Sequence, residues 1–347
     1  MKRILVVRND KIGDFMLAWP SFAMLKRSME CHVTALVPSY TAPLARLCPW
    51  LDEIILDPAA RADKEQQRAL LARIKAAAFD ASICLFSNTR NAKLVWKAHI
   101  PYRLAPATKL AQVLYNQRLV QRRSRSQKPE YEYNLDLVRR FLADQQVSVV
   151  EPQGPYLSFD PQSLQLVREQ VASRLKLDAG RPWLMVHAGS GGSANNLSIE
   201  QYSRLIIKLN QACPELQCVL TAGPGEEGKA EQLAAELLAH GGNGWIYRSD
   251  EGLPKFCQVM ANAALFVAGS TGPLHIAAAL DVPTIGFFPA HRSATPLRWR
   301  PLNSEGRHLA FSPPEDSDHP EDMSQLDPKT MAAAIARWAP PFWRTES

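Results

Sequence analysis

Short, nearly unbroken apolar runs punctuate this chain, with stretches of helical spacing between them. In the first half, Ile4–Arg8 (ILVVR), His32–Val37, Glu53–Leu56 and Ser82–Phe86 read as strands. Helices are expected from about Phe15, over Lys64–Ala78 and near Tyr133–Gln145. The second half repeats the grammar at Trp183–His187, Cys218–Ala222, Trp245–Tyr247, Leu265–Ala268 and Thr284–Phe288. Strands that are apolar on both faces and separated by helices build parallel sheets covered on both sides. Pro152, Gly154, Pro155 and Pro161 cluster where a linker would fall. The pattern predicts an α/β chain of two doubly wound, Rossmann-like domains facing each other across a cleft, over residues 1–160 and 161–325. A terminal helix within 326–347 is expected to turn back toward the first domain. There is no short-period repeat and no low-complexity tract.

Ligands of such sheets bind beyond the carboxyl ends of the strands, so the strand-to-helix loops carry the candidate chemistry. The first is Arg8–Phe15 (RNDKIGDF), where Gly13 permits a tight turn. Asp14 is there either a helix cap or a carboxylate ready to take a proton. The second is His187–Gln201 (HAGSGGSANNLSIEQ). Ser198 and Gln201 fit a capping box and place a helix start near Ile199, behind a glycine- and serine-rich rim. This rim fits neither the dinucleotide fingerprint nor the P-loop. The third is Val267–Leu280 (VAGSTGPLHIAAAL). Pro273 suits a first helical turn, Thr271 and Gly272 fall at the cap, and His275 lies within the first turn. Bare helix N-termini offer amide donors and a positive dipole end to phosphate. Two anion-ready turns in one domain suggest a diphosphate.

Charge sharpens the choice of partner. The 347-residue chain has a formal net charge of +6 and a pI near 9.0, which favours anionic partners. Much of the excess lies in Asn116–Lys128 (NQRLVQRRSRSQK), which reads as a solvated loop or as a contact for an anionic acceptor or lipid headgroup. Nucleic acid is not expected, because the run has no interleaved aromatics and no recognisable binding module. Apolar runs fall far short of the roughly 20 residues of a membrane span. Ile4–Val7 is too short for a signal-peptide core, so a cytoplasmic protein is expected. Six cysteines without CxxC pairing indicate buried free thiols rather than disulfides or zinc. Asp316-Ser317-Asp318 matches the metal-binding DxD pattern but sits in a hydrophilic stretch, so a solvated acidic loop and no metal are expected.

RNDKIGDFMLAWP near the start, HAGSGGSANNLS in the middle and STGPLHIAAALDVPTIGFF near the end together resemble the ADP-heptose:lipopolysaccharide heptosyltransferases, glycosyltransferase family nine. The resemblance covers nearly the whole chain and implies the GT-B fold. It also implies an inverting transfer of heptose from ADP-heptose to the lipopolysaccharide inner core, without metal or other cofactor. The N-terminal domain would take the acceptor and the C-terminal domain the nucleotide sugar. By resemblance, Asp14 is the general base, and Ser190, Gly191, Asn195, Ser270, Thr271, Gly272 and His275 line the donor site. Glu226 or Glu227 in the GPGEE segment would hold the ribose, and Leu253 would border the adenine. Two departures stand out. Ser270 replaces a common Asp, and Asn195-Asn196-Leu197-Ser198 replaces a Lys-Arg-Trp-Pro-like run, which removes a fixed cation from the phosphate site. Lys11, Arg122, Arg123, Arg292 and Arg298 are the candidate replacements or acceptor contacts. The rival readings are a GT-B-type nucleotide-sugar epimerase, a non-catalytic nucleotide-sugar or lipid-headgroup binder and, last, a nicotinamide oxidoreductase.

Overall fold

Six parallel strands form the sheet of a first compact unit, Met1–Tyr156, in this computed structural model, which describes residues 1–108, 110–189, 195–314 and 316–344. The strands are β1 (Lys2–Val7), β2 (Cys31–Pro38), β3 (Glu53–Asp57), β4 (Ala81–Cys84), β5 (Tyr102–Pro106) and β6 (Gln117–Leu119), in the order β3-β2-β1-β4-β5-β6. Their helices are α1 (Ile12–Met16), α2 (Trp19–Ser28), α3 (Ala42–Ala45), α4 (Lys64–Ala76), α5 (Thr89–Lys97) and α6 (Glu130–Asp144). β1 is central, pairing Ile4 with Val33 on one side and with Ala81 on the other. Leu5 and Val7 face a cluster with Leu36, Leu70, Ile74 and Val95, while Ile4 and Val6 are buried on the opposite face. Both faces are therefore dry, which explains why the strand reads as a continuous apolar run.

The second unit, Leu157–Ser347, has its own six-stranded parallel sheet in the order β12-β11-β10-β7-β8-β9. Its strands are β7 (Trp183–His187), β8 (Gln217–Ala222), β9 (Trp245–Arg248), β10 (Leu265–Gly269), β11 (Thr284–Phe287) and β12 (His308–Phe311). Its helices are α7 (Pro161–Leu175), α8 (Ile199–Ala212), α9 (Glu227–Ala239), α10 (Leu253–Met260), α11 (Gly272–Ala279) and α12 (Pro328–Trp338). Two six-stranded parallel sheets with crossover helices are the α/β architecture expected from the sequence. The division falls after Tyr156, slightly earlier than the boundary expected after residue 160. The terminal segment expected as a separate helix belongs to the second unit. Met331, Ala332 and Ile335 of α12 join the core with Leu205 and Leu209 of α8, so its apolar face is already occupied there.

Three strands escaped the sequence reading. β5, β6 and β12 are short, at or beside a sheet edge, and only partly buried, so their apolar signal is weak. The N-terminal helix was also misplaced. The chain forms a short α1 before α2, so Asp14 lies inside a first turn whose N-cap is Lys11. All six cysteines are buried and free, as expected. No helix among the described residues is long and apolar enough to cross a membrane.

Candidate functional site

At the carboxyl end of β1, the buried Arg8 gathers three carboxylates. Its Nη2 donates to Asp14 Oδ1 at 2.5 Å, its Nε lies 3.0 Å from Asp10 Oδ1, and its Nη1 reaches Glu130 Oε1 at 3.4 Å. Arg8 is only 2% exposed. Burial works against its charge, but Asp10, Asp14 and Glu130 outweigh it and hold the guanidinium pKa above its ordinary value. Burial pushes the Asp10 carboxyl up to about 7; Arg8 opposes the rise, and Asp14 adds to it. Glu130, the first residue of α6, also accepts from Arg123 Nη1 at 2.6 Å. The neighbouring Asn9 is pinned from the other side. It donates to Asp57 Oδ2, exchanges amide bonds of 2.9 and 2.8 Å with Asn91, and Arg90 in turn grips Asp57 at 2.6 and 2.8 Å. The loop bearing Asp14 is thus clamped at Arg8 and at Asn9.

This arrangement bears on the helix-cap reading of Asp14. Its carboxylate is bonded to Arg8 and α1 has no side-chain cap, so Asp14 is not a helix cap. Its carboxylate is partly exposed and held in place by the buried Arg8 guanidinium. Lys11 is exposed beside it.

The second unit carries a separate constellation at the carboxyl ends of β7, β8 and β10. α11 begins at Gly272 with Thr271 as N-cap and Pro273 in the first turn, as the sequence predicted. The first amides of a helix have no partner within it. The Thr271 hydroxyl is buried without a hydrogen-bond partner among the described residues. Ser270 is tied to the sheet through its N–H to the Phe287 carbonyl at 3.1 Å. His275 is buried as well, and desolvation pushes its pKa down to about 4, so it stands neutral behind the turn rather than as a cation for phosphate. An anion at this helix end would find amides, a dipole and an unsatisfied hydroxyl.

Beside it, Glu226 closes the N-terminus of α9, and its Oε2 lies 3.1 Å from His187 Nε2. His187 Nδ1 meets Thr221 Oγ1 at 3.0 Å. Gly189 permits this approach, because a Cβ there would collide with the Glu226 carboxylate. Glu227 sits in the first turn of α9, and Leu253 opens α10, half-buried. Phe256 on α10 packs against His187 and stacks on Tyr247, giving an aromatic floor near Leu253.

The capping box at Ser198 and Gln201 starts α8 at Ile199 as predicted. Ahead of it, Asn195 is exposed and donates to the Glu321 carbonyl at 3.2 Å. Asn196 is packed inward: its Oδ1 accepts from Tyr202 Oη at 2.7 Å, its Nδ2 donates to the Ala188 carbonyl at 3.1 Å, and it lies against Gly269. Asn195, Asn196 and Ser198 border an open groove of about 970 Å³ that also meets His291, Asp318 and His319. Ser190 and Gly191 lie outside the described residues.

The remaining candidates have mixed settings. Arg122 and Arg292 are exposed, whereas Arg123 is committed to Glu130 and Arg298 is buried over the Trp299 ring at 5.6 Å. Asp316 and Asp318 of the DxD-like run are exposed. No group of three or more His, Cys, Asp or Glu able to hold a metal occurs among the described residues. Sequence reasoning gave no role to Arg8, Glu130, His187 and Asn196. His187 and Arg8 had a usable signal, a polar residue ending an apolar strand. Glu130 had none, being 122 positions from its partner.

Two parallel six-stranded sheets, each with polar residues gathered at its strand ends, define a two-unit α/β protein. The glycosyltransferase family 9 (heptosyltransferase) model matches residues 67–323. A Haemophilus influenzae protein provisionally named a glycosyltransferase is 49% identical over 350 residues, covering 100% of this chain and 99% of that one. In fold, the chain is similar to E. coli ADP-heptose LPS heptosyltransferase II, with TM-score 0.74, 18% identity and 98% of each chain covered. It is also similar to E. coli heptosyltransferase WaaC with ADP, at TM-score 0.73 and 19% identity over 97% of this chain and 100% of that one. A family 9 glycosyl transferase from Veillonella parvula superposes with TM-score 0.78 at 14% identity over 97% of each chain. The chain belongs to glycosyltransferase family 9, and it is a glycosyltransferase with the GT-B fold.

Proposed function

We propose that this enzyme transfers heptose from ADP-heptose to the inner core of lipopolysaccharide with inversion, at the cytoplasmic side of the membrane. The observation that carries the proposal is Asp14, held partly exposed at the end of β1 by Arg8 rather than used as a helix cap. In this reading, Asp14 takes the proton of the acceptor hydroxyl as that oxygen attacks the anomeric carbon, and ADP departs from the opposite face. The N-terminus of α11, with Thr271 and Gly272, receives the diphosphate. Glu226 takes the ribose, and Leu253 and Phe256 border the base. Backbone donors stabilise the leaving diphosphate without a metal. The solved heptosyltransferase with ADP and one with ADP-2-deoxy-2-fluoro heptose, both similar in fold, support a nucleotide diphosphate as the donor's leaving group.

Incubation with ADP-heptose and core-truncated lipopolysaccharides tests the reading, with one heptose mass added to the acceptor as the expected result. Release of an altered sugar nucleotide in the absence of acceptor would instead identify an epimerase. Asp14→Asn removes the base, a contribution of roughly 10²–10⁴-fold, and should abolish most turnover while ADP binding persists. Parental turnover in that variant would remove Asp14 from the mechanism.

A further inference from the structure

The positive charge of this chain is concentrated in one stretch of the first unit. Residues 81–129 hold ten Lys and Arg and no Asp or Glu, between Asp80 and Glu130. Since the whole chain is +6, everything outside this stretch sums to −4. Some of the charge is used internally: Arg90 grips Asp57, Arg123 grips Glu130 and Lys128 pairs with Asp136. Lys93, Lys97, Arg118, Arg122 and Arg125 are exposed and form no ion pair with any described residue.

Unpartnered apolar side chains share this surface. Leu110 is 91% exposed, Val113 72%, Val120 71% and Trp96 49%. The 3₁₀ segment Leu110–Leu114 packs Ala111 and Leu114 onto the core beneath α5, leaving Leu110 and Val113 in solvent. α5 itself exposes Lys93, Trp96 and Lys97. Strand register adds Arg118 to the same face, since it pairs with Ala105, which lies in the core with Ala92 and Val95 of α5. Val120, Arg122 and Arg125 follow the edge strand β6 at the carboxyl rim of the sheet, the rim that carries Asp14. Between them, Arg123 reaches Glu130, which also holds Arg8.

We infer that this face docks on an anionic lipid bilayer, with Leu110, Val113 and Val120 entering the headgroup layer and the surrounding cations meeting lipid phosphates. A soluble anion or a nucleic acid would satisfy the cations but leave the aliphatic side chains in water. A surface that is anionic outside and hydrocarbon beneath accommodates both, and Trp suits the boundary between them. Docking goes beyond the proposed sugar transfer and does not require it. Through Arg123, Glu130 and Arg8 it would hold the Asp14 rim at the membrane surface, where a lipid-anchored acceptor is presented.

Flotation of the full chain with phosphatidylcholine vesicles, with and without phosphatidylglycerol, tests the inference. Binding is expected on the anionic vesicles and not on the neutral ones, weakening as salt rises. Each surface cation contributes roughly fivefold, so Arg118→Ala/Arg125→Ala should weaken binding about 25-fold. Leu110→Asp/Val113→Asp should lower it further, and both variants should melt at the parental temperature because these side chains are exposed. Equal binding to neutral vesicles, or binding unchanged in both variants, would overturn the inference. So would capture of a soluble phosphorylated glycan without vesicle binding. No sugar is transferred in this assay, so its failure stays separate from failure of the proposed activity.

Discussion

A guanidinium with 2% exposure must be compensated, and the way Arg8 is compensated defines the first site. Asp14 gains an oriented carboxylate from the pairing, while Asp10 bears the cost of crowding. Burial raises Asp10 from an ordinary 3.8 to about 7, so the folded chain holds an extra proton between roughly pH 4 and 7. Its contribution to stability is therefore complete below pH 4 and is lost as pH rises through 7. Asp10→Asn removes this loss, so its melting temperature should rise relative to the parent more at pH 8 than at pH 5. An equal change at both values would show that Asp10 is not held protonated. In the second unit, the buried Thr271 hydroxyl has no hydrogen-bond partner among the described residues. Replacing an unpaired hydroxyl with a methyl is neutral or stabilising, whereas losing a hydrogen bond to a charged ligand costs about 1.5–3 kcal/mol. Thr271→Val should keep or raise the melting temperature and weaken ADP binding at least tenfold by calorimetry. Unchanged affinity would place the diphosphate elsewhere.

Among elements, those with local signals were legible. The Ser198–Gln201 capping box, the Thr271 cap with Pro273, and the apolar β1, β7 and β10 are fixed by residues a few positions apart. α1 was missed because nothing in its five residues distinguishes a separate turn from the start of α2. β6 was missed because it lies inside the basic run and pairs on one side only. The terminal helix shows the value of an element whose partner is remote in sequence. Ile335 of α12 is fully buried beside α8. Ile335→Ala should cost about 2–5 kcal/mol and lower the urea midpoint of the second unit. The exposed neighbour Arg337→Ala should leave the midpoint in place. A midpoint unmoved in Ile335→Ala would mean that α12 is dispensable to that core.

Across the whole molecule, the sequence by itself determined the α/β class, the two sheet units, the buried free thiols and the helix starts at Ile199 and Gly272. All of these depend on apolar periodicity or on bonds within a turn of chain, which composition and spacing encode directly. Only the tertiary structure decided which polar groups meet. Arg8 finds Glu130 because the strand order runs β1-β4-β5 and α6 packs against α2 and β5. His187 finds Glu226 because β7 and β8 are neighbours and Gly189 leaves room for the carboxylate. Asn196 finds Gly269 because β10 flanks β7. Such contacts follow from strand order and register, which are settled by packing the whole sheet, and no local stretch of sequence specifies them.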